Sequence, residues 1–190
     1  MENGALEIKT EPMDTLRPLR ASPTMQKLCA QQQGGKLLKQ DGPLRTFEAG
    51  KLDHQILRQF KNDYGAKISE GGDFIHVKEY GPLMLHTGSM SSRRYSTNVF
   101  IPIAPRDVPA ANALPQPTVL YQPDNDNNTI QEPTLWHIGT HIQIPGNSRI
   151  VVKEVPIWFM MVVFVGRLDE DVKEKVEDVL HDGHGQRGMS

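Results

Sequence analysis

Residues 157–165 read IWFMMVVFV, the longest run of apolar residues in the chain. The run is rich in β-branched and aromatic side chains and does not alternate with polar ones, which is typical of a strand covered on both faces. At about 3.3 Å per residue it would span roughly 30 Å, whereas a membrane-spanning helix needs about 20 residues. The run therefore predicts the central strand of a soluble β-rich domain.

The region before this run has the pattern of an antiparallel β fold. Short β-forming stretches are separated by Gly, Pro, Asn and Asp, which favour turns. Two hairpins are expected, one around residues 70–73 and one around residues 145–147. We predict a mainly β fold, an antiparallel β-sandwich or flattened barrel of about seven to eight strands over residues 66–166. Its strands would be 66–69, 74–80, 83–87, 95–103, 118–122, 135–144, 148–153 and 157–165.

Residues 49–64 have the pattern of an amphipathic helix that precedes the sheet. Gly65 follows as a C-terminal stop. A helix of this kind covers a sheet more often than it binds a partner, so we expect its apolar face to pack on the sheet. The apolar side chains that share one face are Leu52, Ile56, Leu57, Phe60 and Tyr64.

A second, acidic helix is predicted at residues 169–182. The segment holds 7 acidic and 2 basic side chains, with acidic residues in its first turn where the helix dipole favours them. Its narrow apolar stripe is a candidate self-association surface, since the stripe would contact a neighbouring subunit. The stripe consists of Val172, Val176, Val179 and Leu180. Residues 183–190 are expected to form a flexible tail.

Residues 1–45 differ from the rest in composition. They contain four prolines, a glutamine and glycine tract and few large apolar side chains, so we predict a flexible arm ahead of a globular domain at 46–182. Residues 8–11 read IKTE and resemble the short consensus for SUMO attachment. Lys9 is therefore a candidate modification site.

The overall composition excludes several classes of protein. Lys plus Arg number 21 and Asp plus Glu 23, so the net charge of −2 disfavours a dedicated nucleic-acid binder. The single cysteine, Cys29, permits no intrachain disulfide and lacks the neighbours of a reactive thiol. The first residues show no secretory signal. We expect an intracellular protein, cytoplasmic or nuclear, that is not secreted and has no transmembrane segment.

Two groups of residues are weighed as ligand sites. Arg93, Arg94 and Tyr95 lie together in a predicted loop and could contact phosphate or nucleic acid, although a solvated loop is the commoner case. His137 and His141 have the spacing of a zinc pair on a helix, but on a strand they would be about 13 Å apart. We therefore predict no metal, no cofactor and no catalytic residue.

These patterns favour a non-enzymatic structural or assembly protein. We expect it to form a homo-oligomer and to contact nucleoprotein or a peripheral membrane surface, as a viral matrix, coat or movement-type protein of the virion or host cytoplasm would. The viral assignment rests on fold-level analogy. One alternative is a host-type nuclear or cytoplasmic interaction module regulated at the N-terminal arm. The other is a small-barrel metal-dependent enzyme that uses His76, His86, His137 and His141.

Overall fold

A computed structural model describes residues 17–31, 35–70, 74–92, 96–105, 115–121, 129–146 and 148–166. Within these residues, two helices and eleven strands form two antiparallel sheets. The helices are α1 (Pro23–Cys29) and α2 (Lys51–Glu70). The strands are β1 (Arg17–Arg20), β2 (Leu37–Asp41), β3 (Leu44–Phe47), β4 (Phe74–Leu85), β5 (Gly88–Ser91), β6 (Ser96–Pro102), β7 (Thr118–Tyr121), β8 (Ile130–Pro133), β9 (Thr140–Pro145), β10 (Arg149–Val152) and β11 (Ile157–Gly166).

The apolar run forms β11, the middle strand of the seven-stranded sheet, which has the order β1-β9-β6-β11-β4-β3-β2. It pairs antiparallel with β4 on one side and with β6 on the other. Phe159 is buried on one face of the sheet and Met160 on the opposite face. The prediction of a central strand covered on both faces is confirmed.

The helices, the larger sheet and the smaller sheet form three layers, with one hydrophobic cluster between each adjacent pair. The four-stranded sheet, of order β5-β10-β7-β8, packs on one face of the larger sheet. Val119 and Ile150 of the smaller sheet meet Phe100 and Ile144 of the larger one in the cluster between the sheets. Both helices cover the other face. The predicted antiparallel sandwich is thus confirmed as an open sandwich of two sheets.

Helix α2 covers the larger sheet, as its apolar periodicity predicted. Ile56, Phe60 and Tyr64 are buried in one cluster with side chains from the sheet. The helix begins after Gly50, whose backbone N–H donates to Asp53 Oδ2 at 2.7 Å. This contact satisfies an amide that the helix itself leaves without a partner.

The predicted end of this helix was wrong. Helix α2 continues through Gly65 to Glu70, so residues 66–69 are helical and the expected hairpin around 70–73 does not form with them. Glycine ends a helix when it adopts the left-handed conformation, and within a helix it costs only about 1 kcal/mol relative to alanine. The packed turn before Gly65 allows the helix to continue.

The strands predicted at 74–80 and 83–87 are one strand, β4. Its register with β11 shifts between Phe159 and Met161, which leaves Met160 beside Gly81 in a β-bulge. Gly81 has φ of 138°, a conformation that strains any other residue, and a Cβ there would also lie 2.7 Å from the Met160 sulfur. The glycine and proline that suggested a break are accommodated inside the strand.

The second predicted hairpin was also wrong. Strand β9 pairs with β1 and β6 in the larger sheet, whereas β10 pairs with β5 and β7 in the smaller one. Turn residues indicate that the chain reverses, without specifying which strand it then joins. Here Ile142 and Ile150 contribute to the same cluster from opposite sheets. Burial of both apolar faces therefore favours the crossing between sheets.

Residues 17–31 and 35–45, which we expected to belong to a flexible arm, form regular structure that contacts the rest of the described chain. Strand β1 pairs with β9, α1 contacts α2, and β2 and β3 form a hairpin that extends the larger sheet. Ala21, Met25 and Cys29 are buried in the cluster beneath α2. Their partners are distant in sequence, so local composition could not reveal these contacts. Lys9 lies outside the described residues.

The acidic helix predicted at 169–182 and the tail at 183–190 also lie outside the described residues. So does the candidate self-association stripe Val172, Val176, Val179 and Leu180. Among the residues that the structure describes, neither helix is long and apolar enough to cross a membrane.

Candidate functional site

Strand β2 carries Leu38, the most exposed large apolar side chain among the described residues. This strand ends the larger sheet, and all five of its residues are exposed. Leu37 is 47% exposed and Leu38 is 60% exposed. An edge strand presents unpaired backbone donors and acceptors, so exposed leucines on it form a surface suited to strand pairing.

The hairpin that carries β2 has a compact turn. Asp41 pairs with Leu44, leaving Gly42 and Pro43 as the two connecting residues. Gly42 has φ of 55°, and a positive φ at the first of the two connecting residues is typical of two-residue hairpin turns. The turn fixes β2 relative to β3.

The other edge strands are shorter and less suited to pairing. Strands β1 and β8 have four residues each and contain Pro18 and Pro133, which lack a backbone donor. Strand β5 also has four residues, and its Ser89 accepts hydrogen bonds from Arg149 Nε and Nη2 at 2.9 and 2.7 Å. Of the edges that the structure describes, β2 is therefore the best candidate interface.

Charges of both signs alternate with the neutral residues of β2. Lys39 Nζ lies 3.5 Å from Asp41 Oδ2, with both side chains well exposed. An exposed ion pair of this kind contributes little to stability. Its two charges are consequently free to exchange partners when another strand approaches.

The structure separates the histidines named as metal ligands. His86 is exposed beside the β2–β3 turn, His137 is exposed before β9, and His141 is buried in β9. His76 belongs to β4, but its side chain is not among those that the structure describes. Within the described residues no three His, Cys, Asp or Glu side chains are grouped to hold a metal.

His141 occupies an apolar site beneath α2. Its side chain is 1% exposed, and the rings of Phe60 and Tyr64 each meet it edge-on at 5.7 Å between centroids. Neither ring nitrogen has a hydrogen-bond partner among the residues that the structure describes. Burial lowers the pKa of His141 to about 4, and the nearby Asp63 carboxylate opposes that shift without cancelling it. The histidine is therefore neutral at pH 7.

Cys29 is also buried in this layer. Burial raises the pKa of the Cys29 thiol to about 12. The thiolate is the nucleophilic form, and burial keeps Cys29 in the thiol form at neutral pH.

A polar contact fastens the segment containing α1 to α2. Ser22 Oγ donates to Asp63 Oδ2 at 2.6 Å and accepts from the Met25 N–H at 3.2 Å as the N-cap of α1. Gln59 Nε2 donates to Asp63 Oδ1 at 2.7 Å, so both carboxylate oxygens are occupied. One residue further, Tyr64 donates its hydroxyl proton to the Arg20 carbonyl at 3.1 Å.

We expect Ser22→Ala to lower the free energy of unfolding by about 1–2 kcal/mol, because the change removes both the N-cap and a donor to Asp63. Urea unfolding measures the loss. Thr24→Ala on the exposed side of α1 is the control and should change stability little. An equal effect of the two substitutions would contradict the assigned role of Ser22.

The loop residues Arg93, Arg94 and Tyr95 lie outside the described residues, so their proposed phosphate contact stays a prediction.

The sequence analysis did not predict the exposed edge on β2. The sequence pattern that could have indicated this edge is Leu37-Leu38 followed by Lys39, Asp41 and a glycine-proline turn, within the segment that we expected to be an arm.

No protein-family model, curated protein or solved structure matches this chain.

Proposed function

We propose that this chain is a non-enzymatic assembly protein that associates with a second copy of itself through β2. The observation that carries the proposal is the exposed edge strand with its two leucines. Pairing would extend each seven-stranded sheet into that of the other copy. Backbone hydrogen bonds would hold the two strands together, and Leu38 would lie across from Gly42 in the turn of the other copy, where it loses part of its contact with water.

The charges on β2 favour a second copy over an unrelated strand. In a two-fold antiparallel pair centred on Gln40, Lys39 of each copy faces Asp41 of the other. Opposite charges directly across a strand pair stabilise it, and like charges destabilise it. A parallel pair in register would place equal charges side by side. The antiparallel arrangement is thus the one that the charge pattern selects.

Two features of β2 limit pairing with other strands. Its register with β3 shifts between Leu37 and Lys39, which marks a β-bulge at Leu38. Bulges and edge lysines reduce indiscriminate pairing of exposed strands. The self-pair places Lys39 opposite a carboxylate of the other copy, whereas a strand without a carboxylate at that position leaves the lysine unmatched across the pair. The same residue would therefore favour a second copy over such a strand.

Among assembly proteins, we favour the viral coat, matrix or movement type. The support is analogy at the level of the fold, because an open antiparallel sandwich offers rigid faces and edges for repeated contacts. The interface on β2 is small, and association also costs translational and rotational freedom. We therefore expect a dimer whose population depends on concentration.

Leu38→Lys should shift the protein towards monomer, since the change places a charge where the pair would be buried. Size-exclusion chromatography with light scattering over a range of concentrations measures the shift. Leu135→Lys is the matched control, because Leu135 is 53% exposed and lies away from β2. A wild-type protein that stays monomeric at high concentration would overturn the proposal and favour a monomeric interaction module.

A charge exchange tests the register itself. Lys39→Asp alone should weaken the dimer, because each new aspartate would face Asp41 of the other copy. Adding Asp41→Lys restores opposite charges across the pair and should recover the dimer. If the double variant associates no better than the single one, the antiparallel register centred on Gln40 is wrong.

A further inference from the structure

A cleft opens between the turn of the β2–β3 hairpin and the start of β5. Its volume is about 450 Å³, within the range of sites that hold small molecules. The lining residues are Gln40, Gly42, Pro43, Arg45, His86, Thr87, Gly88 and Ser89. The lining contains no carboxylate and offers an arginine, an imidazole and two hydroxyls.

The walls of the cleft are held rigidly. The His86 backbone N–H donates to the Pro43 carbonyl at 2.9 Å, which ties the hairpin turn to the end of β4. Gly88 has φ of 144°, and a Cβ there would lie 2.7 Å from the Pro43 ring. The two sides of the cleft are thus in close contact where Pro43 meets Gly88. A preformed site loses little conformational freedom when a ligand binds.

A second arginine, Arg149, is joined to the cleft by its hydrogen bonds to Ser89. Arg149 Nε and Nη2 both donate to Ser89 Oγ, which leaves the single hydroxyl proton of Ser89 available to a ligand. Neither Arg45 nor Arg149 forms an ion pair within the described residues. The positive charge at this cleft is therefore not neutralised by the described carboxylates.

We propose that this cleft binds the phosphate group of a small phosphorylated ligand. Guanidinium groups recognise phosphate oxygens by charge and by paired N–H donors, and hydroxyls supply further donors. Among the described lining residues, His86 offers the one ring on which a base could stack, while Arg45 and the two hydroxyls are phosphate-binding groups. We therefore expect the phosphate to be the main group recognised. Because Gln40 both lines this cleft and lies at the centre of the proposed β2 pair, phosphate binding is tested separately from self-association.

The binding experiment uses inorganic phosphate and AMP as probes, titrated into the full chain at low salt and followed by calorimetry. Arg45→Gln should weaken binding about tenfold, since it removes a charged donor from the lining. Arg149→Gln should also weaken binding, since it removes the guanidinium that holds Ser89. Arg58→Gln, which removes an exposed arginine from α2, is the matched control and should bind normally. Tighter binding of AMP than of phosphate would support a nucleotide as the source of the phosphate group.

A measurement on the wild-type chain keeps the proposal testable if a variant fails to fold. Added phosphate should shift the backbone amide resonances of Thr87, Gly88 and Ser89 in a saturable way. Resonances of the exposed face of α2 should stay unchanged. Absence of saturable shifts for both probes, or equal weakening by Arg58→Gln, would overturn the proposal.

Discussion

Lowering the pH from 7 to 4 should destabilise this protein by about 3 kcal/mol through His141 alone. The side chain is buried against Phe60 and Tyr64, and within the described part of the chain neither nitrogen has a hydrogen-bond partner. A proton added there would place a charge in an apolar site. In the unfolded chain the same imidazole is protonated readily.

The sign follows from the difference between the two states. Burial lowers the pKa of His141 from 6.5 to about 4 in the folded protein. Between these values the unfolded state binds the additional proton, so the free energy of unfolding falls as the pH falls. The contribution is fully present above about pH 6.5 and is lost progressively down to about pH 4. A difference of 2.5 pKa units corresponds to about 3 kcal/mol.

His141→Leu isolates this contribution. At pH 7 the variant should be more stable than the wild type by about 1–3 kcal/mol, because it removes a buried polar ring without partners. Its advantage should grow as the pH falls to 4. His137→Leu is the control, because His137 is exposed and lies only four residues before His141 in the sequence. Urea unfolding at each pH gives the three profiles.

Other groups also titrate between pH 4 and 7, so the decisive quantity is the difference between the profiles of the wild type and His141→Leu. A constant difference across this pH range would show that His141 is not held neutral by burial. His141→Met provides a second apolar variant if leucine packs poorly against Phe60 and Tyr64.

The parts of the fold that sequence could predict are those determined by local pattern. The run that became β11 has no polar alternation, so its position inside the sheet followed from composition alone. Helix α2 was recognised because one face repeats at helical spacing. In both cases the residues that decide the structure are neighbours in the chain.

The rest depended on contacts between distant residues. Met25 and Cys29 are buried only because α2 and the larger sheet cover them, and nothing within residues 17–31 indicates that cover. Strands β9 and β10 are neighbours in sequence yet belong to different sheets. The same holds for the candidate interface, because the exposure of Leu38 depends on β2 being the last strand of its sheet.

Phe159→Ala should lower the free energy of unfolding by about 3–5 kcal/mol, the usual cost of a large cavity in a packed core. Phe159 is fully buried between the two sheets. Its ring lies 5.2 Å from that of Phe100 and 5.7 Å from that of Trp136. The substitution removes aromatic contacts from β6 and from the segment before β9 at once. The packing between the two sheets should therefore be weakened.

The two tryptophans allow the two layers to be followed separately in that experiment. Trp136 packs edge-on against Phe159 between the sheets, whereas Trp158 contacts Phe47 at 4.9 Å on the helix side. Fluorescence of the wild type, Phe159→Ala, Trp136→Phe and Trp158→Phe assigns each signal. We expect the cavity to alter chiefly the emission of Trp136.

Met161→Ala is the control for this core substitution, because Met161 is in the same strand but only half-buried. Its loss of stability should be clearly smaller, since fewer contacts and less apolar area disappear. Equal losses would mean that Phe159 does not occupy the packed centre between the sheets. Because the edge strand β2 lies outside this cluster, Phe159→Ala would weaken the dimer only by unfolding the chain, whereas Leu38→Lys would weaken it with the fold intact.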